Sequence, residues 1–275
     1  MTHTTTDDLH QRYAGHAPAW TPHLEHPVLQ SLLRHRSVRR FLSTPLAPGV
    51  LDALVAAAQS APTSSNLQTW SVVVVQEQAL RDSLAALAGH QAHIAQAPVL
   101  LVWVADLSRA LRLAEAAGQA IEAHQYLDTY LMASVDAGLA AQNVVAAAEA
   151  LGHGTVYIGA LRNHAREVAR LLALPRGAMP VFGLVVGLPD PAAATAIKPR
   201  LAPAQVVHFD RYRVPDDEQE QIADYDVALR AFQRANGLPE VGWTPAVLQR
   251  LKNGQSLNGR EHLREAVQAA GFELR

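Results

Sequence analysis

Apolar residues along this 275-residue chain recur in two rhythms. The helical rhythm, with apolar positions three and four apart, runs through VLQSLLRHRS from residue 28, VLDALVAAAQSA from 50 and ALRDSLAALAG from 79. WSVVVVQ from 70 and APVLLVWVAD from 97 are short continuous apolar runs, the pattern of buried strands. A long helical stretch is expected from about 117 to 151, closed at LGHG, where Gly152 and Gly154 can supply a left-handed cap. TVYIGAL, a helix at HAREVARLLAL and a strand at MPVFGLVVGLPD follow; IKPRL and VVHFDRY predict extended loops or an edge strand. Beyond 215 the chain is acidic and glutamine-rich, then turns to mixed-charge helices. Few strands separated by helices, without strict βαβ alternation, predict an α+β fold with a modest sheet packed by long helices. Residues 1–27, polar and with prolines at 18, 22 and 27, read as a loosely ordered lead-in; 28–214 read as the core and 215–275 as a helical extension.

Composition narrows the classes. Lys and Arg number 23 against 25 Asp and Glu, a net charge of −2, which argues against a general nucleic-acid binder. With no cysteine, thiol catalysis, disulfides and zinc–thiolate sites are excluded. The most apolar region, 129–151, is broken by Asp136, Gln142, Asn143 and Glu149, so it reads as a core helix rather than a membrane span. The N-terminal stretch has no apolar run behind a basic start, so no secretory signal is expected and the cytoplasm is the default location.

Against that near-neutral balance, RHRSVRRF at 34–41 holds four arginines and a histidine in eight residues. A solvated face is the ordinary reading of a charge run. The spacing H-R-S-x-R nevertheless offers donors of different reach, suited to phosphate oxygens. KPR at 198–200 and the donor-rich loop PTSSN at 62–66 make three separated clusters, which together point to one anionic, hydrogen-bonding ligand. GHGTVYIG is not GxGxxG and follows a helix, and no GxxxxGK[ST] loop occurs, so neither standard nucleotide-binding route is used. His90 and His93, with His23 and His26 upstream, lack an accompanying carboxylate cluster, and no metal site is expected. There is no GxSxG elbow for a serine nucleophile.

Six collinear blocks carry a resemblance: HRSVRRF, APTSSNLQ, GHQAHIAQAP, SVDAGLAAQNVVAAAEALGHGTVYIGALRN, MPVFGLVVGLP and IKPRL. Over residues 30–212 the chain resembles the FMN-dependent nitroreductase superfamily, in its branch of oxygen-insensitive NADPH nitroreductases and NADPH–flavin oxidoreductases. The resemblance implies a nitroreductase-like α+β fold, a central mixed or antiparallel sheet and an interlocked homodimer with FMN at the subunit interface. It implies that His35, Arg36 and Ser37, joined by Lys198 and Arg200, hold the FMN phosphate, and that Arg39 approaches the N1/C2-carbonyl edge of the flavin. Thr63, Ser64 and Ser65 would bond the ribityl and phosphate region, with Asn66 at a subunit contact; Gln91 would read the pyrimidine edge. Tyr157, Ile158, Gly159 and Ala160 would lie along the ring, Gly159 allowing a close backbone approach. No side chain is expected as acid, base or nucleophile, since the flavin carries the chemistry. NAD(P)H would reduce it, and small-molecule acceptors such as nitroaromatics, quinones or flavins would take the electrons in a ping-pong cycle. No nucleic-acid or membrane partner is implied.

The tail departs from that branch. YDVALRAFQRANGLPEVGW keeps Arg234, and Arg230 near it, for the nucleotide's 2′-phosphate, but it lacks paired arginines further on and carries Glu240, which would repel a phosphate. NADH therefore stands beside NADPH as reductant. NGREHLREAVQAAGF puts Arg260 where the resemblance has an arginine reaching toward substrate. Two other readings stay open at this point: a non-catalytic flavin-binding or flavin-modifying protein of the same fold, and an interaction domain whose basic patch binds an acidic partner.

Overall fold

Eleven α-helices and four strands form among the described residues, which in the computed structural model are 5–14, 17–18, 25–193 and 195–275. The helices are α1 (Thr5–Tyr13), α2 (Pro27–Leu33), α3 (Val50–Gln59), α4 (Gln78–Leu87), α5 (Ala92–Gln96), α6 (Ser108–Ala116), α7 (Leu127–Ala150), α8 (Ala165–Leu171), α9 (Glu218–Ala235), α10 (Thr244–Arg250) and α11 (Leu263–Ala269). The strands are β1 (Trp70–Val75), β2 (Val99–Asp106), β3 (Gly154–Ile158) and β4 (Ala178–Gly187). The chain divides into two units: residues 1–36 with 192–256, and residues 37–191 with 257–275.

The second unit is built on one antiparallel sheet of order β1-β2-β4-β3. β2 is buried throughout because both its faces are covered. Leu100 and Val102 join a cluster with Leu84, Ile94, Leu161 and Val168, so α4, α5 and α8 cover that face. Leu101 and Trp103 point the other way, among Leu54 and Ala58 of α3 and Ala137, Ala140, Val144 and Ala148 of α7. The short alanine side chains let α7 lie close on the sheet. Residues 257–275 return to this unit: the Leu127 N–H donates to the Arg275 carbonyl, the Arg275 N–H to Gln125, and the Phe272 ring meets Tyr130 edge-on at 5.1 Å.

A register shift between Trp103 and Val104 pairs Trp103 with Phe182 but Val104 with Pro180, so Val181 has no partner on β2. Proline has no N–H for the ladder, and a bulge accommodates it. Arg162 Nη1 donates to the Val181 carbonyl that the bulge leaves over.

The first unit holds α1, α2, α9 and α10. α2 carries Pro27 in its first turn, and the Val28 N–H donates to the His26 imidazole Nδ1 at 3.2 Å. In α9 and its following loop, the Asp226 carboxylate accepts the Thr244 N–H at 3.1 Å, and Tyr225 packs edge-on against Trp243 at 5.8 Å.

Three expectations change. Part of the lead-in is ordered as α1; residues 1–4, 15–16 and 19–24 of that segment, including His23, lie outside the described residues. The helix expected from 117 to 151 is interrupted: α6 ends at Ala116, Gly118 turns at φ 62°, and α7 begins only at Leu127. Gly152 takes the left-handed cap at φ 81°, but Gly154 opens β3, where a Cβ would lie 2.6 Å from Val38 Cγ2; close approach, not turning, demands glycine there. Of the two alternatives for IKPRL and VVHFDRY, the structure has loops, with one 3₁₀ turn between them at Pro203–Gln205.

Candidate functional site

In the first unit, α2 ends at Leu33 and the chain leaves it extended through His35 and Arg36. Arg12 of α1, 7% exposed, crosses to the segment around 198: its Nη1 donates to the Lys198 carbonyl at 2.9 Å and its Nη2 to Leu33 at 2.8 Å and His35 at 2.7 Å. The Arg200 N–H donates to the Arg12 carbonyl at 2.7 Å. His35–Arg36 and Lys198–Arg200, far apart in sequence, are thereby brought together. Arg36 Nε donates to Thr195 Oγ1 at 2.9 Å, aiming that guanidinium along the same segment. Arg34 is turned away from them, paired with the buried Asp8 at 2.7 Å. Behind Lys198, the Tyr225 hydroxyl donates to the Pro199 carbonyl at 3.1 Å. Burial holds that phenol above its ordinary pKa against the pull of Arg200.

In the second unit, Ser37 bridges to Thr155 of β3, and the Val38 N–H donates to the Thr155 carbonyl at 2.9 Å. Val38 and Phe41 point into the core, which leaves Arg39 and Arg40 outside. Arg40 is paired with Asp190 at 3.1 Å. No hydrogen bond or ion pair among the described residues holds Arg39. It stands near His93 of α5, whose pKa is lowered first by burial and then by the Arg39 charge. The buried His93 Nε2 has no hydrogen-bond partner. Gln91, two residues earlier, spends one amide hydrogen on the Ala88 carbonyl at 2.9 Å.

The loop at Thr63–Asn66 is a 3₁₀ turn in which Ser65 and Asn66 take left-handed φ of 51° and 53°, as Gln68 does at 51°. Asp136 of α7, 2% exposed, fixes it: one carboxylate oxygen accepts the Ser64 N–H at 3.1 Å and the other the Thr69 hydroxyl at 3.0 Å. Thr63 and Asn66 border a cavity of about 1040 Å³ that is also lined by Trp70, Arg109 and His124.

At the end of β3, Tyr157 is half outside the sheet while Ile158 is buried, so only the backbone of Ile158 can face a ligand. Burial, and then Glu149, push the Tyr157 phenol up to about 12. The turn Gly159–His164 follows. A Cβ on Gly159 would lie 3.4 Å from Arg162 Nη2 and 3.8 Å from Arg260 Nη1, ordinary contact distances. The chain itself therefore does not require glycine at 159. Arg260 is tied to the same turn through Asn163 Oδ1 at 2.9 Å. Arg234 lies in the first unit, where its guanidinium grips Glu240 with two bonds of 2.7 and 2.9 Å; the Arg234 bond first, then nearby charge, holds the Glu240 carboxyl below its usual range.

Sequence reasoning missed Arg12, Asp136 and Arg162. Asp136 alone gave a signal, as an acid in the middle of an apolar helix. Among the described residues no three His, Asp or Glu side chains gather in a metal-binding group.

The chain is similar to the FMN reductase [NAD(P)H] of Bacillus subtilis, 36% identical over 250 residues, covering 90% of this chain and 98% of that protein. It is similar to the oxygen-insensitive NADPH nitroreductase of Salmonella typhimurium, 38% identical over 77% of this chain and 84% of that one. Among solved structures, the hypothetical oxidoreductase YcnD from Bacillus subtilis superposes with a TM-score of 0.85 at 35% identity, over 91% of this chain and all of the other. The model of the nitroreductase family matches residues 32–188, and that of the nitroreductase family C-terminal domain matches 198–275. These two regions take in the basic run, the Thr63–Asn66 loop, the β3 turn and the Lys198–Arg200 segment, and the protein belongs to the nitroreductase family.

Proposed function

We propose that the protein is an FMN-dependent NAD(P)H oxidoreductase that works as a homodimer in the cytoplasm and passes two electrons at a time to nitroaromatics, quinones or flavins. The observation that carries this is the convergence of His35–Arg36 with Lys198–Arg200 in the first unit, far-separated donors joined through Arg12. Their chemistry suits a phosphate: a planar guanidinium, an ammonium and an imidazole, all donors to oxygen. In the second unit the unpartnered His93 Nε2 and the glycine at 159 suit a polar, flat ligand whose own bulk explains the missing side chain.

When bound, FMN supplies the two-electron exchange between nicotinamide and acceptor. The residues provide position and charge. Arg39, with no counter-ion among the described residues, is a cation that favours a ligand gaining negative charge. Ser37, Thr63, Ser64 and Ser65 offer hydroxyls to the ribityl chain and phosphate, and Gln91 keeps an amide hydrogen and its oxygen for the pyrimidine edge. The backbone of Tyr157, Ile158, Gly159 and Ala160 offers N–H groups to the ring, with Arg260 beside that turn to meet the acceptor. Asn66 lies toward the second copy. The occupied Arg234 favours NADH alongside NADPH, because a 2′-phosphate would have to displace the Glu240 carboxylate.

The dimer is supported by α7. On the side away from the sheet, Leu127, Leu131, Val135 and Leu139 are 41–57% exposed and fall on one stripe.

The test is a visible spectrum of the purified protein followed by anaerobic titration with NADPH and then NADH. A yellow protein that bleaches with either and regains colour with a quinone or nitroaromatic supports the reading. A yellow protein that bleaches with neither supports flavin binding without catalysis. A colourless protein that takes up no FMN overturns the reading.

A further inference from the structure

α1 lies outside both family-matched regions, yet its inward face consists of Thr5, Asp8, Leu9 and Arg12, spaced as one side of a helix. Three of those four are polar, so hydrophobic burial alone does not account for its packing. Thr5 donates to Glu25 at 2.7 Å and accepts from Gln30 at 3.2 Å, while Asp8 and Arg12 reach the basic run and its partner segment. Asp8 holds Arg34. One turn later Arg12 takes three main-chain carbonyls from two segments about 165 residues apart, and its own carbonyl accepts the Arg200 N–H.

We infer that Arg12 is a positioning residue: it staples the backbone of His35–Arg36 to that of Lys198–Arg200, so that their side chains are set for a phosphate before one arrives. This rests on the reading that these residues take the FMN phosphate. The geometry is specific to arginine. Its rigid planar fork directs Nη1 to one segment and Nη2 to the other, whereas an ammonium is a point charge without that fork. The Leu33 carbonyl closes α2, where helix carbonyls lack intrahelical partners and a cation is favoured, and the His35 carbonyl lies two residues beyond it. Because all three acceptors are main-chain atoms, the staple sets the path of the backbone itself. Ordering these segments in advance lowers the entropy cost of binding.

The test uses the full-length protein, stripped of flavin, with dissociation constants for FMN and riboflavin read from flavin fluorescence. Riboflavin has the same ring and ribityl chain but no phosphate. Arg12→Met is expected to weaken FMN about tenfold or more while riboflavin changes less than about twofold, a loss of roughly the size of one or two hydrogen bonds. Arg12→Lys is expected to fall between the two. An unchanged FMN-to-riboflavin ratio overturns the proposal, whether neither affinity moves or both fall together. Should Arg12→Met not fold, Arg12→Lys decides by the same ratio. The double variant Lys198→Ala, Arg200→Ala separates the two layers. If it loses the ratio while the Arg12 variants keep it, the staple alone fails; if it keeps the ratio, the phosphate lies elsewhere and the staple fails with that reading.

Discussion

His93 combines burial, a neighbouring cation and an unpartnered ring nitrogen, and each of these disfavours its protonated form. Its folded pKa therefore lies below the ordinary 6.5, while the unfolded chain keeps the ordinary value. The unfolded state binds the proton first, so this group contributes no penalty above about pH 7 and a growing one as pH falls through 6.5 toward the folded value. Melting temperatures of the flavin-free protein should drop more steeply between pH 7 and pH 5 than those of His93→Phe. Parallel curves would remove His93 as the cause. In the first unit, Glu240 acts as an internal anion for Arg234. Both side chains are exposed, so the pair is weak and a nucleotide can compete with it. Glu240→Gln should raise the ratio of kcat/KM for NADPH over NADH by about two- to fivefold. An unchanged ratio would mean that Arg234 does not meet the 2′-phosphate.

Among elements, the Thr63–Asn66 turn depends most on a distant residue. Three non-glycine residues, Ser65, Asn66 and Gln68, hold left-handed backbone there, a strained state that persists only where surroundings impose it. Asp136 is the main side-chain restraint found on the turn. Asp136→Ala should cost about 1–3 kcal/mol, the size of a buried donor left unpaired, and should speed amide exchange at Ser64. An unaltered urea midpoint would place the restraint elsewhere. Strands β1, β2 and β4 and helices α3, α4 and α8 were legible in the sequence, because their burial follows simple apolar periodicity. α1 was not, since a buried face made of Thr5, Asp8 and Arg12 reads as solvent-exposed. The break between α6 and α7 was hidden by alanine-rich sequence that suits a continuous helix on either side of Gly118. The candidate site residues were legible only through their order along the chain. What holds them acts at a distance: Arg12 leaves no local pattern because it reaches main-chain carbonyls, and Asp136 shows only as an acid in an apolar helix, not by what it holds.

At the scale of the whole molecule, α7 is the element on which the proposed dimer rests. By length and composition it could cross a membrane, but its alanine face is spent on the sheet and its Leu127–Leu131–Val135–Leu139 stripe is left outside. The sequence reading took this helix as core because Asp136, Gln142, Asn143 and Glu149 break its apolar run; an apolar helix can also serve two interfaces, and periodicity cannot say which face meets the same chain. Asn66, Leu67 and the cavity beside the Thr63–Asn66 turn lie on the same unit, with Leu67 59% exposed. If this surface is the subunit contact, placing charge in its centre leaves two like, desolvated carboxylates and no partner for either. Leu131→Glu with Val135→Glu should therefore convert the protein from dimer to monomer in sedimentation at micromolar concentration. The helical content should be unchanged, since neither residue belongs to the sheet-facing core. FMN should be lost with the dimer, because half a site retains only part of the contacts. A variant that stays dimeric would move the interface off α7, and a wild-type monomer that holds FMN would overturn the shared site altogether.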